Sequence, residues 1–203
     1  MLINEIFFDL EGEGKYQGLP TLFIRFTGCN LRSSWCDTKK AYKAGKEFPP
    51  EEILRIVKAS PYKNINITGG EPLSSKKELI ELIASIKKAK PEIIVSVETN
   101  GSFSIVGLNA DNISMDLKLP SSGEHKKMNL NNLKLLRPKD QLKLVIGSAK
   151  DMLYAQSVLK RKPVKCVVFA QPVFKRIALS KIKDFVLKHN TGWKVAVQLH
   201  KLY

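Results

Sequence analysis

With 203 residues, 43% of them hydrophobic and no low-complexity tract, the chain has enough apolar material for one core and too much for disorder. No apolar window approaches the ~18 residues a membrane span needs, and Glu5 interrupts the N-terminal apolar stretch before any basic segment, so a cytoplasmic protein without an export signal is expected. The net charge of +15 arises from 34 basic residues, only six of them Arg, against 19 acids, which fits a Lys-rich solvated surface better than nucleic-acid binding.

Taken in chain order, the sequence alternates short β-rich runs with amphipathic stretches. Strands are predicted at Ile3–Asp9, Thr21–Thr27, Asn64–Thr68, Ile93–Glu98, Asn112–Leu117, Gln141–Ile146, Lys165–Ala170 and Lys194–Leu199. Their Ile/Val-rich character reads as strands covered on both faces. Pro50 followed by Glu51 and Glu52 opens a helix. Ser75 is the expected cap of the next, whose apolar stripe is Leu79, Leu82, Ile83 and Ile86. Two more helices are predicted over Ala149–Leu159 and Leu179–Lys188, with Met152, Leu159, Ile182 and Val186 facing inward. No linker or composition break divides residues 1–203, so one domain is expected. The pattern is α/β, a mostly parallel sheet that is either doubly wound or curled into a full or partial barrel.

In such folds the ligand site lies beyond the C-terminal ends of the strands, and the unusual residues cluster there. Thr27-Gly-Cys-Asn-Leu-Arg-Ser-Ser-Trp-Cys-Asp-Thr38 follows the second predicted strand and Thr68-Gly-Gly-Glu-Pro72 the third. Glu98-Thr-Asn-Gly101, Asp116-Leu-Lys118, Gln171-Pro172 and Gln198-Leu-His-Lys201 close later strands. Paired glycines allow close backbone approach to a ligand, and Glu71 offers a carboxylate to a cationic amine. Three cysteines without a signal peptide suggest metal binding, catalysis or burial rather than disulfides. Cys166, between valines of a predicted strand, reads as a buried structural thiol.

A cysteine loop after one strand and Gly-Gly-Glu-Pro after the next resemble the radical S-adenosylmethionine superfamily. Glu11-Gly-Glu-Gly14, Phe23-Ile-Arg-Phe-Thr-Gly-Cys-Asn-Leu-Arg32, Trp35-Cys-Asp-Thr38 and Glu98-Thr-Asn-Gly101 narrow the resemblance to the 7-carboxy-7-deazaguanine synthase family. The resemblance covers nearly the whole chain and implies a partial (β/α) barrel with mostly parallel strands. It implies three cofactors: a 4Fe–4S cluster, S-adenosylmethionine and Mg²⁺. The implied reaction begins with a 5′-deoxyadenosyl radical taking hydrogen from C6 of 6-carboxy-5,6,7,8-tetrahydropterin. Ring contraction and loss of ammonia follow, on the route to queuosine or archaeosine. A reducing electron donor and a homodimer are also implied.

Residue by residue, the resemblance makes Cys29 and Cys36 cluster ligands and Thr38 the magnesium ligand. It places Gly70, Glu71, Asp116, Leu117, Lys118, Gln171, Pro172, Val173 and Phe174 around S-adenosylmethionine. It places Leu10, Glu11, Gly12, Arg25, Thr68 and Tyr203 around the pterin. The chain departs from the family pattern at position 33, where Ser stands in the third cluster cysteine's place. A serine oxygen is a hard donor whose proton is held far more tightly than a thiol's, so an incomplete or labile cluster is expected. A catalytically silent relative that binds S-adenosylmethionine or a pterin is therefore the alternative. A natural loss, a deliberate change and a ligand position that tolerates serine all remain open.

Overall fold

The computed structural model describes residues 1–43 and 45–202. Nine strands among them form one open sheet in the order β3-β1-β2-β4-β5-β6-β7-β8-β9. Strand β1 (Leu2–Leu10) runs antiparallel to β2 (Pro20–Phe26) and to the short β3 (Lys46–Glu47). From β2 onward every pairing is parallel: β4 (Asn64–Gly69), β5 (Ile94–Thr99), β6 (Asn112–Asp116), β7 (Gln141–Ile146), β8 (Val167–Pro172) and β9 (Lys194–Val195). The expected α/β partial barrel is therefore present, with an antiparallel hairpin at one edge.

The four helices are α1 (Pro50–Ala59), α2 (Lys76–Ala89), α3 (Ala149–Arg161) and α4 (Leu179–His189). Pro50 occupies the first turn of α1 as expected. Ser75 precedes α2 but its side chain makes no capping bond, because a 3-10 turn over Pro72–Ser75 leads directly into the helix. Helix α3 instead carries a full capping box between Ser148 and Asp151.

The strands are covered on both faces, as expected, but their apolar character is not continuous. Asn64-Ile-Asn-Ile-Thr68, Asn112-Ile-Ser-Met-Asp116 and Gln141-Leu-Lys-Leu144 alternate with period two. Leu22, Ile24, Ile65, Ile67, Val95, Val97, Ile113, Met115, Leu142 and Leu144 form one buried core with the helix residues Ile53, Val57, Leu79, Leu82, Ile86 and Ile182. The other face is also buried, but it carries Asn66, Ser96, Asn112, Ser114, Gln141, Lys143 and Gln171. Neighbouring strands satisfy part of this face: Gln141 donates to Ser114 Oγ at 2.7 Å and Asn112 to Ser96 Oγ at 3.2 Å. Burying polar groups here, despite their desolvation cost, is what builds a ligand cavity rather than a second hydrocarbon layer.

The predicted strand Lys194–Leu199 is also shorter than expected. Only Lys194 and Val195 pair with β8. The chain then leaves the sheet, because Leu199 N–H donates to Gly12 O at 2.9 Å and the Gln17 amide donates to Val197 O at 2.7 Å.

Candidate active site

One cavity of about 440 Å³ opens at the C-terminal ends of β2, β4, β5, β6 and β7. Its lining includes Leu10, Glu11, Gly12, Arg25, Cys29, Ser33, Cys36, Thr38, Thr68, Gly70, Asp116 and Lys118, twelve of the residues singled out from sequence. Six others stand outside it. Leu117 is core, Val173 is buried, Pro172 is half-buried and Phe174 is exposed beneath Lys175. Gln171 is fully buried on the polar face, with neither amide atom bonded. Glu71 is buried behind the loops, and Tyr203 lies outside the described residues.

The expected role of Glu71 is corrected by its partners. Its carboxylate accepts from Leu73 N–H at 3.0 Å, Thr99 Oγ1 at 2.8 Å and Asn100 N–H at 2.6 Å. Glu71 thus ties the Gly-Gly-Glu-Pro turn to the loop after β5 and lies behind the residues that line the cavity. Burial pushes its pKa up to about 7 in spite of these three bonds.

The cysteine loop is held in shape by its backbone. Gly28, at φ +93°, donates to Ala41 O at 2.7 Å and accepts from Glu71 N–H at 2.8 Å. Arg32 N–H donates to Glu124 at 2.7 Å, and Ser34 donates through N–H and Oγ to Ser122 O and Ser121 O. Leu31 N–H and the Asn100 amide approach Cys29 Sγ at 3.4 and 3.8 Å. Burial raises the pKa of the Cys29 thiol. Ser33 faces the same cavity as Cys29 and Cys36. Cys166 sits just before β8, at the opposite end of the sheet, where burial pushes its thiol up to about 11. It is half-buried against the core rather than buried, and it precedes the strand rather than lying within it.

A Cβ at Gly70 would run into the Gly28 carbonyl and Cys29 Cβ. Gly70→Ala is expected to push the cysteine loop aside and destabilise the chain by about 1–3 kcal/mol. Urea denaturation checks this, and an unchanged midpoint would show that the two loops are not in contact.

Sequence reasoning missed Lys143, the residue that joins the cavity's charged groups. Lys143, 5% exposed, lies 2.7 Å from Glu13, 2.5 Å from Glu98 and 3.6 Å from Asp116. Lys118 closes on Asp116 at 2.6 Å. Burial opposes ionisation of Glu13 and Asp116, but the neighbouring lysines outweigh it and lower both pKa values. For Glu98 the balance reverses: burial, with repulsion from Glu11, Glu13 and Asp116, overcomes Lys143 and raises its pKa to about 7. Glu11 accepts from the Asn66 amide at 2.5 Å, while Asn66 Oδ1 is buried without a partner. A lysine in the middle of a strand, in phase with Gln141 rather than Leu142, is the signal that marked this face.

Across the cavity the charges differ. Arg25 Nε meets Glu5 at 2.6 Å and its guanidinium lies over the Phe7 ring; Lys40 shares the same carboxylate at 2.8 Å. The C-terminal segment closes one side: Gln198 donates to Glu13 at 2.7 Å and Lys201 pairs with Asp37 at 2.7 Å. His200 and Lys201 hold the Asp37 carboxyl well below its usual range.

This arrangement agrees with comparisons to known proteins. Residues 23–140 match the radical SAM superfamily model. The chain is 39% identical to the 7-carboxy-7-deazaguanine synthase of Methanospirillum hungatei over 99% of its own length and 84% of that protein's. It is 38% identical to the synthase of Thermoplasma acidophilum over 100% and 96% of the two lengths. The crystal structure of QueE from Escherichia coli superposes with a TM-score of 0.75 at 21% identity, covering 97% of this chain and 93% of that one. The chain therefore belongs to the 7-carboxy-7-deazaguanine synthase family of the radical SAM superfamily.

Proposed function

We propose that the cavity takes 6-carboxy-5,6,7,8-tetrahydropterin beside S-adenosylmethionine, in the conversion of that pterin to 7-carboxy-7-deazaguanine with loss of ammonia. The division of the cavity by charge carries this reading. Arg25 and Lys40 on the β1–β2 side suit a carboxylate, and the Glu11–Asn66 pair supplies acceptors for an amino-pyrimidinone edge. Glu13, Glu98 and Asp116 around Lys143 suit a cation. The Thr38 hydroxyl, bonded to Asp37 at 3.1 Å, is a hard oxygen that would hold a Mg²⁺ able to bind the substrate carboxylate. A reducing donor and a homodimer complete the proposal; light scattering tests the latter.

The family implies a 4Fe–4S cluster, which supplies the radical chemistry when bound. The residues of this chain do not fit the three-thiolate anchor. The loop offers two thiols and one hydroxyl, and no group of three His, Cys, Asp or Glu among the described residues is placed to hold a metal ion. Ser33 thus favours a second reading, a relative that binds the same ligands without cleaving S-adenosylmethionine.

Titration with 6-carboxypterin and with unsubstituted pterin tests the pocket itself. Arg25→Lys loses the planar fork and is expected to weaken 6-carboxypterin about tenfold, with pterin little changed. Equal loss for both ligands would remove Arg25 as the carboxylate's partner.

A further inference from the structure

Strand β1 has a neighbour on each side, yet most of its outer side is an open sheet edge. The short β3 covers only Leu2 and Ile3, and Lys40 reaches Asn4 and Glu5. Among the described residues no strand pairs with the outer side of β1 from Ile6 to Leu10. Which backbone groups lie there follows from Glu11, whose N–H and C=O bond to Leu19 and Gly18 on the β2 side. With period two, Phe7 and Asp9 also turn toward β2, and Ile6, Phe8 and Leu10 turn outward. The Leu10 N–H, for want of a strand, donates to the Asp9 carboxylate at 2.7 Å.

An open edge of this kind is ordinarily blunted by Lys, Pro or a bulge. The irregularity in β1 lies between Ile3 and Glu5, before the open stretch, and the stretch itself reads Ile6-Phe-Phe-Asp-Leu10. Phe8 is 52% exposed, edge-on to Tyr62 at 5.4 Å. Leu10, paired with Pro20, and the preceding Leu19 add exposed hydrocarbon at the end of the hairpin. Residues 1–14 contain no Lys or Arg, and Arg25 and Lys40 alongside are paired with Glu5. Two copies of a chain of net charge +15 can therefore meet here without setting cations against one another.

We propose that this edge receives a second copy of the chain, the two β1 strands pairing antiparallel about a two-fold axis at Phe8. The inference rests on the homodimer proposed above and names its face. The register follows from the side chains. With the axis at Phe8, that ring meets the partner's Phe8, and Ile6 stands opposite the partner's Leu10, so each outward pair is apolar. Moving the axis to Phe7 would set Glu5 against the partner's Asp9, and moving it to Asp9 would set two carboxylates against each other. On the cavity face, Phe7, Asp9 and Leu10 line the pocket. The pairing places the partner's Asp9 opposite Phe7, so each copy supplies a carboxylate to the rim of the other's cavity.

The test combines sedimentation of the full chain with amide hydrogen exchange read residue by residue by NMR. The wild type is expected to sediment as a dimer in which the Ile6 and Phe8 amides are protected. Phe8→Asp removes two rings from the axis and puts two carboxylates there. It should raise the dimer's dissociation constant about a hundredfold and release those two amides, with the circular dichroism unchanged. The Phe7 and Asp9 amides, bonded to β2, should stay protected in both proteins, and Phe8→Tyr should dimerise as the wild type does. If Phe8→Asp does not fold, dilution of the wild type decides: the Ile6 and Phe8 amides should open in step with dissociation. A wild type that is monomeric at every concentration overturns the homodimer together with this inference. A dimer whose Ile6 and Phe8 amides exchange freely, or one that Phe8→Asp leaves intact, overturns the inference alone. A monomer with those amides protected would mean that a different strand occupies the edge, and it too overturns the inference.

Discussion

Ser33→Cys is expected to take anaerobically reconstituted protein from a low, labile iron content to about four irons per chain, the complement of a 4Fe–4S cluster. Iron and sulfide analysis and the cluster's visible absorption read the change. The physical reason lies in how the loop is held. The bonds from Gly28 to Ala41, Glu71 to Gly28, Arg32 to Glu124 and Ser34 to residues 121 and 122 involve no side-chain atom of residue 33. A thiol at position 33 therefore enters a loop already shaped for it. The serine hydroxyl in the same place is a shorter, harder donor that keeps its proton near neutral pH. Turnover of 6-carboxytetrahydropterin should follow the iron: absent or marginal with Ser33, present in Ser33→Cys. Equal iron and equal turnover in both proteins would show that serine serves as a ligand. If neither protein holds iron, the synthase reading fails and the binding reading remains.

Thermal stability is expected to fall as pH rises from about 5 to about 7.5, opposite to the trend set by ordinary salt-bridged carboxylates. Glu71 and Glu98 both have pKa values raised to about 7 from an ordinary 4.5. Between those limits the folded chain keeps protons that the unfolded chain has released, so each step up in pH favours unfolding. Above about pH 7.5 the loss is complete. Below pH 4.5 both states are protonated at these groups, and a second decline begins as Asp37, Asp116 and Asp140, whose pKa values are lowered, take up protons. For Glu71 the contribution is on the order of 1–3 kcal/mol, or roughly 2–6 °C in midpoint for a chain of this size. Glu71→Gln cannot titrate and should shrink the slope between pH 5 and 7.5. An unchanged slope in that variant would mean that Glu71 stays ionised in the folded protein.

The parts of the fold set by local pattern were legible in the sequence. Pro50 with Glu51 and Glu52 marked a helix start, and the Gln141–Ile146 boundaries were found as they stand. What misled was the high Ile/Val content of the strands. It concealed the period-two placing of Asn66, Ser114 and Lys143, because polar residues buried in a cavity are as hidden from solvent as hydrocarbon. The site was legible wherever a motif was contiguous, as in the cysteine loop. It was illegible where partners are far apart in sequence: Lys143 meets Glu13 and Glu98 only through the sheet order. Glu71 was given to a ligand because its neighbours Thr99 and Asn100 lie one strand away.

The amide- and hydroxyl-lined face of the sheet bears on how this protein responds to temperature. Unfolding exposes apolar surface, which raises heat capacity, and polar surface, which lowers it by about half as much per unit area. A sheet that buries Asn66, Asn112, Ser114, Gln141 and Gln171 in place of a second hydrocarbon layer gains less heat capacity on unfolding than one packed with Val and Ile on both sides. Its free-energy curve is correspondingly broad, so stability changes slowly with temperature on either side of its maximum. The polar lining that makes room for ligands also flattens the thermal response of the fold that surrounds them.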